Sequence, residues 1–189
     1  MGIVTSLGRG KEINWQKLIR GQSGIGTISR FSTEGLRTTI AGTVESERGT
    51  PYSAYELASE IAEEAIAEAL VDAQFKAGDP FGGPLFVATP PSEFEWPVMA
   101  ELFQYGSAIE SGSAYSRMLA AAKSGRFRRY ARHLEFASIA TRLQDRFGTI
   151  GEPISLCTAC ASGSTAVQMG VEAIRRGEAD RALCVATDA

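Results

Sequence analysis

The chain has 189 residues, of which 44% are hydrophobic and 22% are charged. These are the proportions of a globular domain, and they exclude disorder, collagen and coiled coil as descriptions of the whole chain. Nineteen basic against twenty-two acidic residues give a formal net charge of -3, so we expect no nucleic-acid partner. No apolar run approaches the roughly 20 residues that span a bilayer, so we expect no membrane span, and we expect no export signal because a charged segment followed by an apolar one is not seen near residue 1.

Two elements in the first half of the chain are clear. Ser53 and Glu56 have the spacing of a capping box, and apolar residues recur beyond them with helical period, which predicts a helix from Ser53 to about Gln74. The apolar run over residues 85–89 is bounded by prolines, which predicts a buried strand.

The remaining predicted elements are two short ones in the first half of the chain and alternating helices and strands in the second half. Apolar periodicity and glycine positions predict the remaining elements of the chain: helices over 14–19, 97–105, 113–123, 130–147 and 161–176, and strands over 38–44, 153–157 and 182–187. The last strand, helix and strand have the spacing of a βαβ unit, which predicts parallel strands and a right-handed crossover. The sequence therefore predicts one α/β domain.

Cysteine usage indicates a reducing compartment. The chain has three cysteines, and Cys157 and Cys160 are only three residues apart. An odd number with this spacing is not a disulfide framework, so we expect a cytoplasmic protein.

The segment from Ser155 to Gly163 carries the sharpest chemical signal. It places Cys160 at the turn between a buried strand and the first turn of a long helix. Unpaired backbone N–H groups and the positive end of the helix dipole favour thiolate over thiol there, and they can also hold an oxyanion. The following helix has an apolar face to bury, made of Ala166, Val167, Gly170, Val171 and Ile174.

Three other interpretations of this segment stay open on residue type and position. Cys160 can be a small hydrophobe packed in the core, which is the common fate of a free cysteine. Cys157 and Cys160 can form a redox pair, although we expect the sheet to hold the Cys157 side chain within the strand. A metal site is the third interpretation, with Cys184 and His133 as the further ligands.

The stretch from Ile154 to Gly163 resembles the nucleophile segment of the β-ketoacyl-acyl-carrier-protein synthases, which are condensing enzymes of the thiolase superfamily. Their pattern is Thr-Ala-Cys-(Ala/Ser/Thr)-(Ser/Ala)-Gly, and Cys160 falls on their nucleophile. Residues 173–180 resemble the end of the family's next helix. Residues 15–25 are similar to its Trp-x-x-Leu-x-x-Gly-x-Ser-Gly-Ile, and residues 2–8 resemble its first turn.

The resemblance implies a thiolase-like fold, a layered α/β arrangement with a mixed, mostly parallel sheet. Family members contain two similar α/β halves. The resemblance therefore implies that residues 1–189 correspond to the N-terminal half, and we expect them to lack the family's first strand and the whole C-terminal half.

The resemblance also implies a decarboxylative Claisen condensation. Cys160 would accept an acyl group from an acyl-carrier thioester, and an enolate from malonyl-carrier would attack that acyl-enzyme. The backbone N–H of Cys160 would form half of the oxyanion hole, and Ala159 and Tyr130 would contact the acyl chain. The family's other oxyanion donor and its two catalytic histidines come from the second half, and His133 matches neither histidine. His133 is therefore expected to be a packed or surface residue of a helix.

The partners implied by the resemblance are an acyl carrier protein, acyl and malonyl thioesters and a second copy of the chain. No metal and no other cofactor is implied. Since residues 1–189 lack the second half, we expect acylation of Cys160 at most, without condensation.

Basic residues crowd the segment 123–132. Taken alone, this cluster is a solvated basic helix start. In the resembled family, basic residues near the entrance to the cysteine dock the acidic carrier protein, which implies docking on Lys123, Arg126, Arg128 and Arg129.

The chain departs from the family after the predicted strand 85–89. The family's loop is often rich in glycine there and helps to gate the acyl pocket, whereas this chain carries Pro90, Pro91, Phe94, Trp96 and Pro97. Acyl length is therefore not indicated. Two other functions stay open, a non-catalytic chain-length or partner subunit and a thiolase-type acyltransferase that uses coenzyme A. The retained Cys160 disfavours the first, and the basic segment and residues 15–25 disfavour the second.

Overall fold

The computed structural model describes residues 1–47, 49, 53–76, 78–91 and 95–189. Phe94, one of the residues of the predicted irregular loop, lies outside these ranges. In chain order the elements are β1 Val4–Thr5, β2 Gly8–Arg9, α1 Lys11–Ile19, β3 Ile25–Thr27, β4 Ile40–Gly42, α2 Ala54–Asp72, β5 Leu85–Ala88, α3 Trp96–Ile109, α4 Ala114–Lys123, a 3-10 turn Arg128–Tyr130, α5 Ala131–Leu134, α6 Ser138–Phe147, β6 Ile154–Leu156, α7 Ser162–Arg175 and β7 Leu183–Ala186.

A three-stranded parallel sheet lies at the centre of the fold. β5 is the middle strand, and its residue Val87 is in register with Ser155 of β6 and Val185 of β7. The predicted strand, helix and strand are present, and the two strands are parallel. They are not neighbours, however, because β5 lies between them, and α7 packs on both β5 and β7.

Helices cover both faces of this sheet. Successive side chains of a strand point to opposite faces, so Leu85 and Val87 pack with residues of α2 and α6, whereas Phe86 and Ala88 pack with residues of α7. Burial on both faces explains why β5 is a continuous apolar run. The predicted layered α/β architecture is confirmed.

The helix predicted from Ser53 is α2. The Ser53 hydroxyl accepts a hydrogen bond from the backbone N–H of Glu56 at 3.0 Å, and the Glu56 carboxylate accepts one from the N–H of Ser53 at 2.9 Å. This capping box confirms the predicted start of the helix. Its buried residues include Leu57, Ile61 and Ile66.

The single helix predicted over 130–147 is wrong. Glu135 has an extended backbone, with ψ at 113°, and divides the segment into the short α5 and the longer α6. Both parts lie against α2: His133 of α5 stacks on Tyr55 in the first turn of α2, with ring centroids 4.9 Å apart, and α6 packs along the same helix. The predicted end is confirmed, since Gly148 is left-handed at the C-cap.

Helices α3 and α4 form a hairpin with a small core of its own. This core contains Leu102, Ala121 and Phe127, with Tyr105, Met118 and Tyr130 packed around it. The amino-terminal part of the chain carries two antiparallel ribbons, β1 with β2 and β3 with β4. In the described part of the chain, no helix is long and apolar enough to cross a membrane.

Candidate active site

Cys160 lies in an open cleft of about 550 Å³ at one edge of the central sheet. The carboxyl ends of all three strands meet there, beside the amino-terminal end of α7. Crevices at this edge of a parallel sheet are the usual ligand sites of α/β proteins. The cleft is lined by Ala88, Thr89, Pro90, Cys157, Ala159, Cys160, Ser162, Gly163, Ala186, Thr187 and Asp188.

The backbone turns sharply just before Cys160. Ala159 has a φ of 51°, in the left-handed region that residues other than glycine rarely adopt. Such strain concentrates at functional sites. The Cys160 side chain is exposed, so the interpretation of Cys160 as a buried core residue is wrong.

Ser162 spans this turn with hydrogen bonds on both sides of Ala159. The N–H of Thr158 donates to the Ser162 hydroxyl at 2.8 Å, and that hydroxyl donates to the Ala159 carbonyl at 2.6 Å. The Ala159 carbonyl also accepts from the N–H of Ser162 at 3.0 Å. Within the described ranges, the backbone N–H of Cys160 donates no hydrogen bond to another residue.

Cys157 lies outside the strand in which it was expected. β6 ends at Leu156, so the sheet does not hold the Cys157 side chain, which is exposed and lines the same cleft as Cys160. All three cysteines are free. Among the described residues, no group of three or more His, Cys, Asp or Glu side chains is placed to hold a metal ion.

Cys184 differs from the other two cysteines. It lies in β7, half-buried, and burial raises the pKa of its thiol, while a hydrogen bond with the backbone of Gly170 opposes that shift. A Cβ atom at Gly170 would collide with the Cys184 sulfur, so a glycine is needed where α7 passes Cys184.

The predicted buried face of α7 needs correction. Ala166, Gly170 and Ala173 are buried against the sheet, but Val167, Val171 and Ile174 are 54%, 39% and 45% exposed. Small residues face the strands because they let the helix lie close to them. The larger aliphatic residues consequently point away from the sheet.

The two predicted acyl-contact residues lie apart. Ala159 lines the cleft, whereas Tyr130 is not among its lining residues. Tyr130 packs beside the α3–α4 core, its ring is edge-on to His133, and the Arg129 guanidinium donates a hydrogen bond to its hydroxyl at 2.9 Å. The predicted contact of Tyr130 with the acyl chain stays a prediction. His133 is half-buried on α5, as expected of a packed helical histidine.

The four predicted docking residues are exposed but differ in their partners. Arg126 and Arg129 lie 3.2 and 3.9 Å from the Glu101 carboxylate. Neither Lys123 nor Arg128 has an ion-pair partner within the part of the chain that the structure describes.

Sequence reasoning missed the polar rim of the cleft. Thr187 is buried, and its hydroxyl donates to the Ala58 carbonyl at 2.7 Å, which ties the end of β7 to α2. Thr89, Pro90 and Asp188 also line an adjoining cavity of about 450 Å³ that reaches Trp96 and His133. The available signal was position, because Thr89 and Thr187 end the predicted strands and Pro90 and Asp188 directly follow them.

Comparison with protein families finds a similarity in the carboxyl-terminal part of the chain. Residues 98–189 match the model described as "Beta-ketoacyl synthase, N-terminal domain". The match includes Cys160 and the basic segment, whereas residues 15–25 lie outside it. No match was found among curated proteins.

Solved structures extend the similarity to the whole chain. The ishigamide ketosynthase/chain length factor is 27% identical with a TM-score of 0.65, over 100% of this chain and 46% of that chain. A ketosynthase assembly described as "AntDE:AntF (apo): type II PKS acyl-carrier protein in complex with its ketosynthase bound to the hexaketide" is 22% identical with a TM-score of 0.63, over 100% of this chain and 44% of that one. The second likeness shows the fold alone. The chain spans less than half the length of either structure.

Proposed function

We propose that this chain, a β-ketoacyl synthase N-terminal domain over residues 98–189 with the thiolase-like fold of ketosynthases, accepts an acyl group on Cys160 for condensation with malonyl-acyl-carrier protein. The observation that carries the proposal is the exposed Cys160, set in a cleft at the carboxyl ends of three parallel strands, two residues before α7. Membership of the condensing-enzyme family was predicted from the residues around Cys160, and that prediction is confirmed.

The first half-reaction is an acyl transfer. The Cys160 thiolate attacks the thioester carbonyl carbon, a new carbon–sulfur bond forms, and the carrier thiolate leaves and takes up a proton. The unused N–H of Cys160 is one donor for the oxyanion that develops on the carbonyl oxygen.

The second half-reaction forms the carbon–carbon bond. Malonyl-carrier loses CO2, the resulting enolate carbon attacks the acyl-enzyme carbonyl, and the Cys160 thiolate leaves from a β-ketoacyl carrier. The family's decarboxylating histidines match no position of this chain. We therefore expect residues 1–189 to be acylated without condensing.

Intact-mass spectrometry tests the first half-reaction. The chain is incubated with an acyl-carrier thioester and, separately, with the epoxide inhibitor cerulenin. One adduct is expected on the wild-type chain and on Cys157→Ala, and none on Cys160→Ala. Cys157→Ala is the matched control because Cys157 is an exposed cysteine in the same cleft.

Adduct formation that persists in Cys160→Ala contradicts the proposed nucleophile. A β-ketoacyl product released by the 189-residue chain contradicts the expectation that it does not condense.

Carrier docking on Lys123, Arg126, Arg128 and Arg129 is part of the proposal. Support comes from the exposure of all four and from the absence of ion-pair partners for Lys123 and Arg128 among the described residues. An assembly of the same fold contains an acyl-carrier protein with its ketosynthase.

Acylation of Cys160 by different donors separates two alternative functions, a thiolase-type acyltransferase and a non-catalytic chain-length or partner subunit. Coenzyme A thioesters that acylate Cys160 as fast as carrier thioesters indicate a thiolase-type acyltransferase. Failure of every donor, also after refolding with a C-terminal half, indicates a chain-length or partner subunit, a role suggested by the pairing named in the ishigamide structure.

Homodimer formation and cytoplasmic location stay predictions. β6 is an edge strand of the described sheet, so its outer backbone groups are free to pair with another chain. The mass of the assembly in solution tests the first prediction, because a dimer has twice the mass of the chain.

A further inference from the structure

We infer that Ser162 is a positioning residue that holds the turn at Ala159 in its strained form and thereby orients Cys160. This inference rests on the proposed function of Cys160. It concerns a side chain that receives no role from the sequence motif, in which serine and alanine alternate at this position.

The backbone of Ala159 is strained. A left-handed φ brings the Cβ atom of an alanine close to its own backbone, so the conformation persists only where the surroundings hold it. The Ser162 hydroxyl is the side-chain group that does so. It accepts from the N–H of Thr158 and donates to the carbonyl of Ala159, closing the turn from both sides.

The direction of Cys160 depends on that turn because Cys160 is the next residue. If Ala159 relaxes to an ordinary negative φ, the chain leaves the turn in another direction. The place of Cys160 in the lining of the cleft would then change. A second hydrogen bond, between the hydroxyls of Thr158 and Thr165 at 3.0 Å, joins the turn to the first turn of α7. It does not involve any atom of Ala159.

The experiment is the rate of iodoacetamide modification at each cysteine, followed by peptide mass spectrometry from pH 6 to pH 9. We compare the wild type with Ser162→Ala, Ser162→Thr, Ser164→Ala and the double variant Ala159→Gly with Ser162→Ala. Ser164 is the matched control, since it lies on the same turn of α7 but is exposed and forms no side-chain hydrogen bond to a described residue. Thermal unfolding of each variant is recorded alongside.

Ser162→Ala is expected to slow modification of Cys160 by about three- to tenfold, the factor that corresponds to a lost hydrogen bond. Ser162→Thr keeps the hydroxyl and should keep the rate, and Ser164→Ala should match the wild type. Ala159→Gly should restore most of the rate lost in Ser162→Ala, because glycine adopts the left-handed conformation without a Cβ penalty. Cys157 and Cys184 should be modified at unchanged rates.

An unchanged Cys160 rate in Ser162→Ala overturns the inference, as does a loss that Ala159→Gly fails to restore. If Ser162→Ala unfolds within the assay range, the double variant carries the test, because it needs no hydroxyl to hold the turn. A wild-type Cys160 that reacts no faster than Cys157 contradicts the proposed function itself, and with it the inference.

Discussion

The two faces of the central sheet are covered very differently. On one face, α2 and α6 bury a continuous cluster that contains Ile66, Phe81 and Leu143. On the other face, α7 contributes only small buried residues, Ala166 and Ala173, and keeps its larger aliphatic side chains exposed. Cys160 lies at the start of α7, on the thinly covered face. The packing on the α2–α6 face therefore contributes most of the stability, whereas the candidate chemistry depends on how closely the backbone of α7 lies to the sheet on the other face.

Truncation of large side chains should show the largest difference between the faces. Leu143 is fully buried, so Leu143→Ala should lower the free energy of unfolding by about 2–5 kcal/mol, from lost transfer energy and the cavity left behind. Ile174→Ala on the exposed side of α7 should change it by less than about 0.5 kcal/mol. Chemical denaturation of both variants measures the two values. Equal losses would show that α7 is covered in solution.

The close approach of α7 can be tested with one substitution at two positions of the same helix. Gly170→Ala places a methyl group against the Cys184 sulfur and should destabilise the chain by about 1–3 kcal/mol and reduce Cys160 acylation. At Gly163 the nearest atom to an added Cβ is the Ala186 Cβ at 3.4 Å, an ordinary contact. Gly163→Ala should therefore be neutral or slightly stabilising. A stable, fully reactive Gly170→Ala variant would contradict the close approach.

Charge reversal should affect carrier use while leaving both faces of the sheet intact. Lys123→Glu with Arg128→Glu should lower the rate of acylation by acyl-carrier thioester about tenfold at low salt, because charge steers encounter, and the deficit should shrink as salt is added. Arg20→Glu with Lys76→Glu makes the same change in net charge elsewhere. If both double variants lose the same rate at every salt concentration, docking on the basic segment is wrong.

The smallest expected effect lies at the end of α2. A hydrogen bond from Lys11 and the amino group of Met1 lower the pKa of Asp72 from 3.8 to about 2. A folded-state pKa below the ordinary value stabilises the fold above about pH 4, and the contribution is lost as pH falls toward 2. Asp72→Asn should thus lower the unfolding temperature slightly at pH 6 and not at pH 2, since exposed pairs contribute little. A difference that grows as pH falls would reverse this assignment.

The predictable parts of the fold were those with strong local signals. The capping box predicted the start of α2, the prolines on either side of the apolar run predicted β5, and Gly148 predicted the end of α6. The continuous helix over 130–147 was wrong because helical periodicity persists across Glu135, whereas in the structure α5 meets only the first turn of α2, through Tyr55, and α6 packs along that helix from a separate start. Local pattern cannot register which neighbour a face will meet.

The candidate site also contains residues that local sequence signals predicted and residues that only the structure revealed. Cys160 was identified from its neighbours in sequence, because a cysteine between a strand and a helix has a recognisable chemical environment. The roles of Thr187 and Ser162 were not identified from the sequence. Thr187 matters because its hydroxyl contacts Ala58, and Ser162 because its hydroxyl contacts the left-handed Ala159. Cys157 was misplaced by a strand that ended one residue earlier than predicted.

The sequence by itself determined the main helices and strands around the central sheet, their order and the candidate nucleophile Cys160, since helical period, capping residues and strand-to-helix turns are local properties. Only the tertiary structure decided that β5 lies between β6 and β7, which residues of α7 face the sheet, and which side chains close the turn beside Cys160. Those features arise from packing between residues distant in the chain, where side-chain volume and unpaired hydrogen-bonding groups select one arrangement.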